Sequence, residues 1–233
     1  MDIISLGEAL IDFFSVKSGI RLSEVREFRR VAGGAPANVA VGAARMGLET
    51  AFVALPTPNT REFLFYRNPS ADMMLDSKEF DKTFIKDTEV FHFGSITLIS
   101  EPGRSSTYDA INLAKSNGAV ISYDPNLRLN LWPCAEETKN KIIEAIPLAD
   151  VIKVNDEELF FITGEKDIKK GIQKLISDGP KLCIITMGAK GCIYSSGKYT
   201  GLLPAFKVKT VDSTRCGDSF VAGLLGRSGR KRT

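Results

Sequence analysis

Histidine and clustered cysteines are what this sequence most clearly lacks. Its 233 residues include a single histidine, His92, and four cysteines without C-x-x-C spacing: Cys134, Cys183, Cys192 and Cys216. Zinc sites need several clustered Cys or His ligands, so the sequence argues against a zinc-dependent function. Scattered thiols are typical of a reduced compartment, and we expect the protein to be cytoplasmic.

Long apolar runs and an excess of one charge are also missing. No stretch approaches the ~20 apolar residues of a membrane-spanning helix. Asp2 stands where a secretory signal would carry positive charge. The net charge is +3 and is spread along the chain, so we expect neither a membrane nor a nucleic acid as partner. With 43% hydrophobic residues, the chain can bury the core of one globular domain over residues 1–233.

Short β-branched runs alternate with helical stretches along the chain. The runs are "DIISLG", "VFHFGSI", "AVISYD", "VIKVN" and "KLCIITMG". Helices are predicted over residues 35–47, 103–118, 134–146, 156–164 and 167–179, and another starts near Gly217. This alternation favours the α/β class, with a Rossmann-like, mostly parallel sheet flanked by helices.

Two segments depart from this alternation. Residues 21–34 and 60–68 mix charged residues with alternating apolar ones, which is typical of exposed antiparallel strands. We predict that they belong to a small β-lid beside the main sheet, with lid segments at about 13–32 and 60–68.

Polar residues follow several of the predicted strands. In open α/β sheets the ligand site lies beyond the carboxyl ends of the strands, so these residues are the first candidates for a functional site. They are Glu8, Asp12, Asp124, Asn126, Arg128, Asn155, Glu158, Thr186 and Gly188.

The turn "VDSTRCGDSF" leads into the last predicted helix. Small residues before a helix leave backbone N–H groups free, and such an N-terminus suits phosphate oxygens. Asp218 would repel that anion, so its functional interpretation is a general base that accepts the proton of an attacking hydroxyl. The alternative is that Asp218 only caps its helix.

Three further segments each allow a functional and a structural interpretation. In "AGGAPANVA", Asn38 could hydrogen-bond a hydroxylated ligand, or the glycines only form a tight turn. In "NDEE", Asn155 and Glu158 could hold hydrated Mg²⁺, or they belong to an acidic first helical turn. For "TMGAKG" the structural interpretation is a strand, a turn and a hairpin, without a functional role. His92 lies in an apolar run, and we expect it to be a packed residue.

Taken in order, these segments resemble the PfkB (ribokinase-like) carbohydrate kinases, and within them the fructokinases. The matching segments are "GEALIDF", "GGAPANVAVGAARMG", "REFLFYRNPSADMML", "FHFGSITL", "SYDPNLRLNLWP", "DVIKVNDEELFFITG", "TMGAKGC" and "VDSTRCGDSFVAGLL", which cover most of the chain. The resemblance implies ATP-dependent transfer of the γ-phosphate to a primary hydroxyl of a sugar, with fructose as the sugar.

The resemblance also implies a role for individual residues. Asp218 is the base, and the N–H groups of Arg215, Cys216 and Gly217 form an anion hole. The sugar contacts are Asp12, Gly33, Gly34, Asn38 and Arg67. The residues that contact the nucleotide and its phosphates are Arg128, Asn155, Glu158, Thr186, Gly188 and Gly191. Asn155 and Glu158 organise Mg²⁺ through water, Asp212 and Thr214 resemble a K⁺ site, and the lids of family members often pair into a homodimer.

The chain departs from the family pattern at three places. Arg215 replaces the first glycine of a turn that reads close to D-T-x-G-A-G-D in the family. We expect it to distort the anion hole rather than to grip the phosphate with its guanidinium. The segment at residues 50–67 joins two family segments that are normally well separated. We also expect the family segments beyond the "GDSF" helix, which complete the adenine pocket, to be absent.

Two alternatives to an active fructokinase follow from these departures and from the breadth of the family. One is a catalytically impaired or inactive member that binds a sugar or a protein partner. The other is a kinase for 2-keto-3-deoxygluconate or a nucleoside.

Overall fold

The computed structural model describes residues 1–17, 24–53, 71–209 and 215–228. Its strands are β1 (Ile3–Leu6), β2 (Leu10–Ser15), β3 (Phe28–Gly33), β4 (Thr50–Val53), β5 (Val90–Phe93), β6 (Val120–Tyr123), β7 (Val151–Asn155), β8 (Leu182–Thr186), β9 (Cys192–Ser195) and β10 (Thr200–Leu203). Its helices are α1 (Ala35–Arg45), α2 (Lys82–Lys86), α3 (Gly103–Ser116), α4 (Ala135–Ala145), α5 (Asp156–Thr163), α6 (Ile168–Ser177) and α7 (Cys216–Ser228). None of these described helices is long and apolar enough to cross a membrane.

Eight of these strands form one sheet in the order β10-β9-β8-β7-β6-β5-β1-β4. β4, β1, β5, β6, β7 and β8 are parallel, and β9 and β10 add antiparallel at one edge. The central strands are short apolar runs and are largely buried, as parallel strands between helices must be. The predicted α/β class with a mostly parallel sheet is confirmed.

Successive side chains of β1 point to opposite faces of the sheet, and each face packs against its own apolar cluster. Ile4 and Leu6 belong to a large cluster that includes residues of α2 to α6. Ile3 belongs to a smaller cluster with residues of α1 and α7. These two helices approach closely, since a Cβ built on Gly42 would lie 2.8 Å from that of Ala222. Their packing determines where their first turns lie.

β2 and β3 form a separate antiparallel pair that overlaps the first predicted lid segment, and we call this pair the lid. The register runs from Leu10 opposite Gly33 to Ser15 opposite Phe28. The rings of Phe13 and Phe28 meet edge to face, with centroids 6.4 Å apart. The lid begins at Leu10 rather than near residue 13, and the strand predicted within 21–34 covers only its end. The second predicted lid segment, 60–68, lies outside the described residues.

Every helix predicted from sequence is present, with bounds shifted by at most a few positions. No strand was predicted from the sequence at β4 or β10, and no helix at α2. Each has only four or five residues. β4 is defined by its pairing with β1, which joins Ile3 to Thr50. A pairing of that kind is a tertiary contact and leaves little trace in the local sequence.

Candidate active site

A cleft of about 820 Å³ lies beyond the carboxyl ends of the parallel strands. Its lining comes from the segments that follow these strands, from lid strand β2 and from the first turns of α1 and α7. The predicted site residues that line it are Asp12, Gly34, Asn38, Arg128, Asn155, Glu158, Thr186, Arg215, Gly217 and Asp218. The fold therefore brings together candidates from both ends of the chain.

Asp218 and Asn38 meet between the first turns of α7 and α1. Asn38 donates from Nδ2 to Oδ2 of Asp218 at 2.7 Å. Because α1 and α7 share one apolar cluster, the distance between the two turns is determined by packing. Asp218 is the third residue of α7 rather than the residue before it. Its carboxylate accepts a hydrogen bond from α1, so its role is not limited to capping its own helix.

The environment of Asp218 favours its protonated form more than water does. Burial raises the pKa of this carboxyl above its usual value, and the Asp124 carboxylate raises it further. The hydrogen bond from Asn38 and the positive charges of Lys153 and Arg128 act in the opposite direction. A carboxylate with a raised pKa is a stronger base, which suits it to accept a proton from a hydroxyl.

Lys153 and Asp124 form a buried ion pair at the base of the cleft. Lys153 Nζ lies 2.9 Å from Asp124 Oδ2, and the two side chains are 9% and 6% exposed. A Cβ built on Gly217 would lie 3.1 Å from this Nζ, so the ammonium group lies next to the first turn of α7. Burial lowers the pKa of Lys153, but the carboxylates of Asp124, Glu158 and Asp218 outweigh this effect and raise it.

Lys153 lines the cleft but is not among the site residues predicted from the sequence. A signal was available, because a lysine at the centre of the apolar run "VIKVN" must find a buried partner for its charge. That partner is Asp124, which the sequence marks only as a polar residue after a strand. β6 and β7 are neighbours in the sheet, and only this pairing joins the two residues.

Asn155 and Glu158 form a capping box at the start of α5. Asn155 Oδ1 accepts from Glu158 N at 2.7 Å, and Glu158 Oε2 accepts from Asn155 N at 2.9 Å. Glu158 Oε1 accepts from Leu127 N at 2.8 Å, which links α5 to the loop that carries Arg128. The structural interpretation of "NDEE" is correct, and both side chains also line the cleft. Burial, followed by the charge of Asp124, raises the pKa of Glu158.

The predicted nucleotide residues lie on two sides of the cleft. Arg128 is exposed at the rim, where its Nη1 donates to a neighbouring backbone carbonyl at 2.9 Å. Thr186 ends β8 and lines the cleft. Gly188 and Gly191 shape the turn into β9, with φ of +55° and +92°, and neither belongs to the described lining. A Cβ on Gly191 would lie 2.0 Å from a backbone oxygen of β10, so this position requires glycine for packing.

Gly33 and Gly34 allow the lid to approach the start of α1. Gly34 has φ of +101°, and a Cβ there would lie 2.2 Å from the backbone oxygen of Glu8. A Cβ on Gly33 would lie 2.2 Å from Asp12 Oδ2. Glu8 in turn accepts from Ala35 N at 3.0 Å. The two glycines therefore serve packing, and they leave the Asp12 carboxylate against the backbone at the edge of the cleft.

Arg215 immediately precedes α7 and contacts the lid. Its φ of +66° lies in the left-handed region that favours glycine, as expected for the position of a family glycine. Its Nη2 lies 3.1 Å from Asp12 Oδ2 and also donates to the backbone oxygen of Ala32. The guanidinium is therefore bound to the lid.

The remaining predicted residues lie outside the cleft or outside the described residues. Cys216 is an exposed free thiol on the first turn of α7. Arg67, Asp212 and Thr214 lie outside the described residues, and their roles stay predictions. His92 is buried, with Nδ1 3.1 Å from Ser122 Oγ. Burial lowers the pKa of His92 to about 4, which agrees with a neutral packed residue.

The chain matches the model of the pfkB family carbohydrate kinases in two segments, residues 1–56 and 54–228. The chain belongs to the pfkB family. The resemblance inferred from the sequence is confirmed, and the carbohydrate kinases of this family are phosphotransferases.

Fructokinases are among the relatives of this pfkB-family chain. Fructokinase-2 of Solanum lycopersicum is 43% identical over 263 residues, covering 96% of the chain and 80% of the relative. This alignment is longer than the 233-residue chain, so the relative carries residues that the chain lacks. Fructokinase from Vibrio cholerae O395 in its fructose-, ADP- and calcium-bound form matches with a TM-score of 0.87 at 29% identity, covering 99% of this chain and 85% of that one. Fructokinase from Xylella fastidiosa with bound ATP matches with a TM-score of 0.86 at 29% identity, covering 98% and 81%.

Proposed function

We propose that this chain is an ATP-dependent sugar kinase with fructose as its acceptor. The observation that carries the proposal is the Asp218 carboxylate, which is held by Asn38 at the start of α7 and lines the same cleft as Asp12. Fructokinases are among the relatives that match nearly the whole chain, and one of them is described with bound fructose and ADP.

In this proposal Asp218 accepts the proton of the sugar's primary hydroxyl while the hydroxyl oxygen attacks the γ-phosphorus. The new O–P bond forms as the bond from the γ-phosphorus to the bridging oxygen breaks, and ADP leaves. ATP supplies the phosphoryl group. The protein contributes alignment, one base and stabilisation of charge.

The positive groups of the cleft fit the phosphates of ATP. The backbone N–H groups from Arg215 to Gly217 would form the anion hole at the positive end of α7. Lys153 adds a full charge beside Gly217, and Arg128 would neutralise phosphate charge from the rim. Thr186, Gly188 and Gly191 would border the nucleotide.

Magnesium would be held mainly by phosphate oxygens and water. The oxygens of Asn155 and Glu158 already accept backbone N–H groups, so these residues would contact the ion through water. The described ranges contain no group of three His, Cys, Asp or Glu side chains that could hold a metal by themselves. K⁺ would bind at Asp212 and Thr214.

The sugar would lie between the lid and α1. Asp12, Gly33, Gly34 and Asn38 would contact it, together with Arg67.

We further infer that the chain is one cytoplasmic domain over residues 1–233 that forms a homodimer through its lid. Light scattering after size-exclusion chromatography measures that last property directly.

A second candidate is a family member that binds a sugar but transfers phosphate slowly or not at all. The observation in its favour is Arg215, an arginine in a left-handed conformation at the start of the proposed anion hole. Its side chain is also bound to Asp12, one of the proposed sugar contacts.

A coupled ADP-release assay with ATP, Mg²⁺, K⁺ and fructose tests the first candidate. We expect fructose-dependent turnover, reduced about 10²- to 10⁴-fold in Asp218→Asn because the general base is removed. Asp178→Asn, which changes an exposed carboxylate at the end of α6, is the matched control. Full activity in Asp218→Asn would refute the base assignment. A folded chain that binds fructose without turnover would establish the second candidate.

A further inference from the structure

Arg215 links the start of α7 to both strands of the lid. Its Nη2 lies 3.1 Å from Asp12 Oδ2 on β2 and also donates to the Ala32 carbonyl on β3. The chain separation is 203 residues to Asp12 and 183 to Ala32. One guanidinium nitrogen therefore bridges two lid strands and the helix that carries the proposed base.

The contact occupies a carboxylate that faces the cleft. Asp12 lines the cleft, and its side chain is 22% exposed. Its carboxylate lies against the backbone of Gly33, so it cannot move in that direction. A neutral sugar offers hydroxyl donors to such a carboxylate, and hydroxyls are weaker partners for it than a guanidinium. A sugar that approaches Asp12 must compete with Arg215.

The ion pair also involves an unfavourable backbone conformation. Arg215 has φ of +66°, which an arginine seldom adopts. Among the described residues its buried Nε has no hydrogen-bond partner. In the part of the chain that the structure describes, the contacts of Nη2 with the lid are the side-chain interactions available to offset this conformation. This arrangement differs from a solvated arginine that lies near an acid by chance.

We propose that Arg215 sets the affinity of the acceptor site by competing with the sugar for Asp12. Arg215 thus lowers the affinity for a sugar that contacts Asp12, because the bound sugar must replace a charge-assisted hydrogen bond with hydroxyl contacts. The inference rests on the proposed function, which makes Asp12 a sugar contact. It predicts that loss of the guanidinium tightens the binding of a neutral sugar without ATP.

Calorimetric titration of the full chain with fructose alone tests this competition. We compare the chain with Arg215→Asn and Arg215→Gly. Asparagine tolerates the left-handed conformation and is too short to reach Asp12, whereas glycine also removes the conformational cost. Arg45→Gln, on the exposed last turn of α1, controls for the loss of one positive charge. Far-UV circular dichroism verifies folding of each variant.

We expect both substitutions at position 215 to tighten fructose binding roughly two- to fivefold, the range that a partly exposed ion pair allows. We also expect added salt to strengthen fructose binding to the unmodified chain, because salt screens the Arg215–Asp12 attraction. Arg215→Asn should show no such salt effect, and a purely structural role would not produce this difference.

The possible outcomes separate the inference from the proposed function. If only Arg215→Gly binds fructose more tightly, the effect comes from backbone conformation, and the proposed competition is wrong. Fructose binding of equal strength in all variants would also overturn it, while leaving the proposed acceptor site intact. Absence of fructose binding in every folded variant would refute the acceptor site, and the inference with it.

Discussion

Asn38 Nδ2 lies 2.7 Å from Asp218 Oδ2, although 180 residues separate the two along the chain. The contact exists because α1 and α7 pack through small and apolar side chains, among them Val39, Ala43 and Ala222. An apolar interface thus controls the position of the proposed catalytic carboxylate. Burial raises the pKa of Asp218, and the hydrogen bond from Asn38 lowers it.

Asn38→Asp should move the acidic limb of the pH–rate profile to higher pH. The substitution keeps the shape of the side chain but places a second carboxylate beside Asp218, and like charges raise each other's pKa. A base works only when deprotonated, so a higher pKa leaves less active enzyme at a given acidic pH. The pH dependence of kcat/KM for fructose measures the shift. An acidic limb at the original pH would show that Asp218 is not the titrating base.

Lys153→Met should destabilise the fold by about 3–5 kcal/mol, because it leaves the Asp124 carboxylate buried without its partner. The double variant Lys153→Met with Asp124→Asn should recover much of that loss, since no unpaired charge remains. Urea unfolding followed by circular dichroism measures both. The double variant should still bind ATP more weakly than the unmodified chain. Equal ATP affinity in the double variant and the unmodified chain would show that Lys153 does not contribute to phosphate binding.

His92 should make folding stability fall between about pH 6.5 and pH 4. Its pKa is lowered to about 4 in the folded protein, so the unfolded chain binds a proton across this window that the folded chain does not. The stability is fully present above the ordinary pKa and is lost as the pH falls, by a total of ~3 kcal/mol. Comparing urea unfolding of the chain and His92→Asn at several pH values isolates this contribution. Parallel pH dependences in the two proteins would contradict it.

Gly34→Ala should be far more destabilising than Gly118→Ala. Both positions have positive φ, +101° and +88°, so both substitutions carry a conformational cost of about 1–3 kcal/mol. Only at Gly34 would the new Cβ meet another atom, 2.2 Å from the Glu8 backbone oxygen, whereas nothing lies within 4 Å at Gly118. We expect an additional loss of about 2 kcal/mol or more at Gly34. Thermal unfolding of the pair measures the difference, and equal midpoints would rule out the close contact.

The segments that the sequence predicts best are those with a long local signal. α3 and α6 show apolar periodicity over ten or more residues, and a glycine follows each within two positions of its end. The turn before Asp218 gains its predicted role from its resemblance to the family motif, because its residues alone also allow a simple helix cap. Asn155 and Glu158 are a mixed case. Their spacing predicts a shared helix face, but only the structure shows that their oxygens already bind backbone N–H groups.

The amino-acid sequence by itself determined the α/β class, the family and the types of chemical group that the cleft contains. These properties reside in local patterns and in motifs a few residues long. The tertiary structure alone decided which groups meet. Lys153 pairs with Asp124 because β6 and β7 are neighbours, and Arg215 reaches Asp12 because β2 of the lid lies beside the start of α7. Such contacts join residues that are distant in the chain, and their energies depend on burial and distance, which no local pattern encodes.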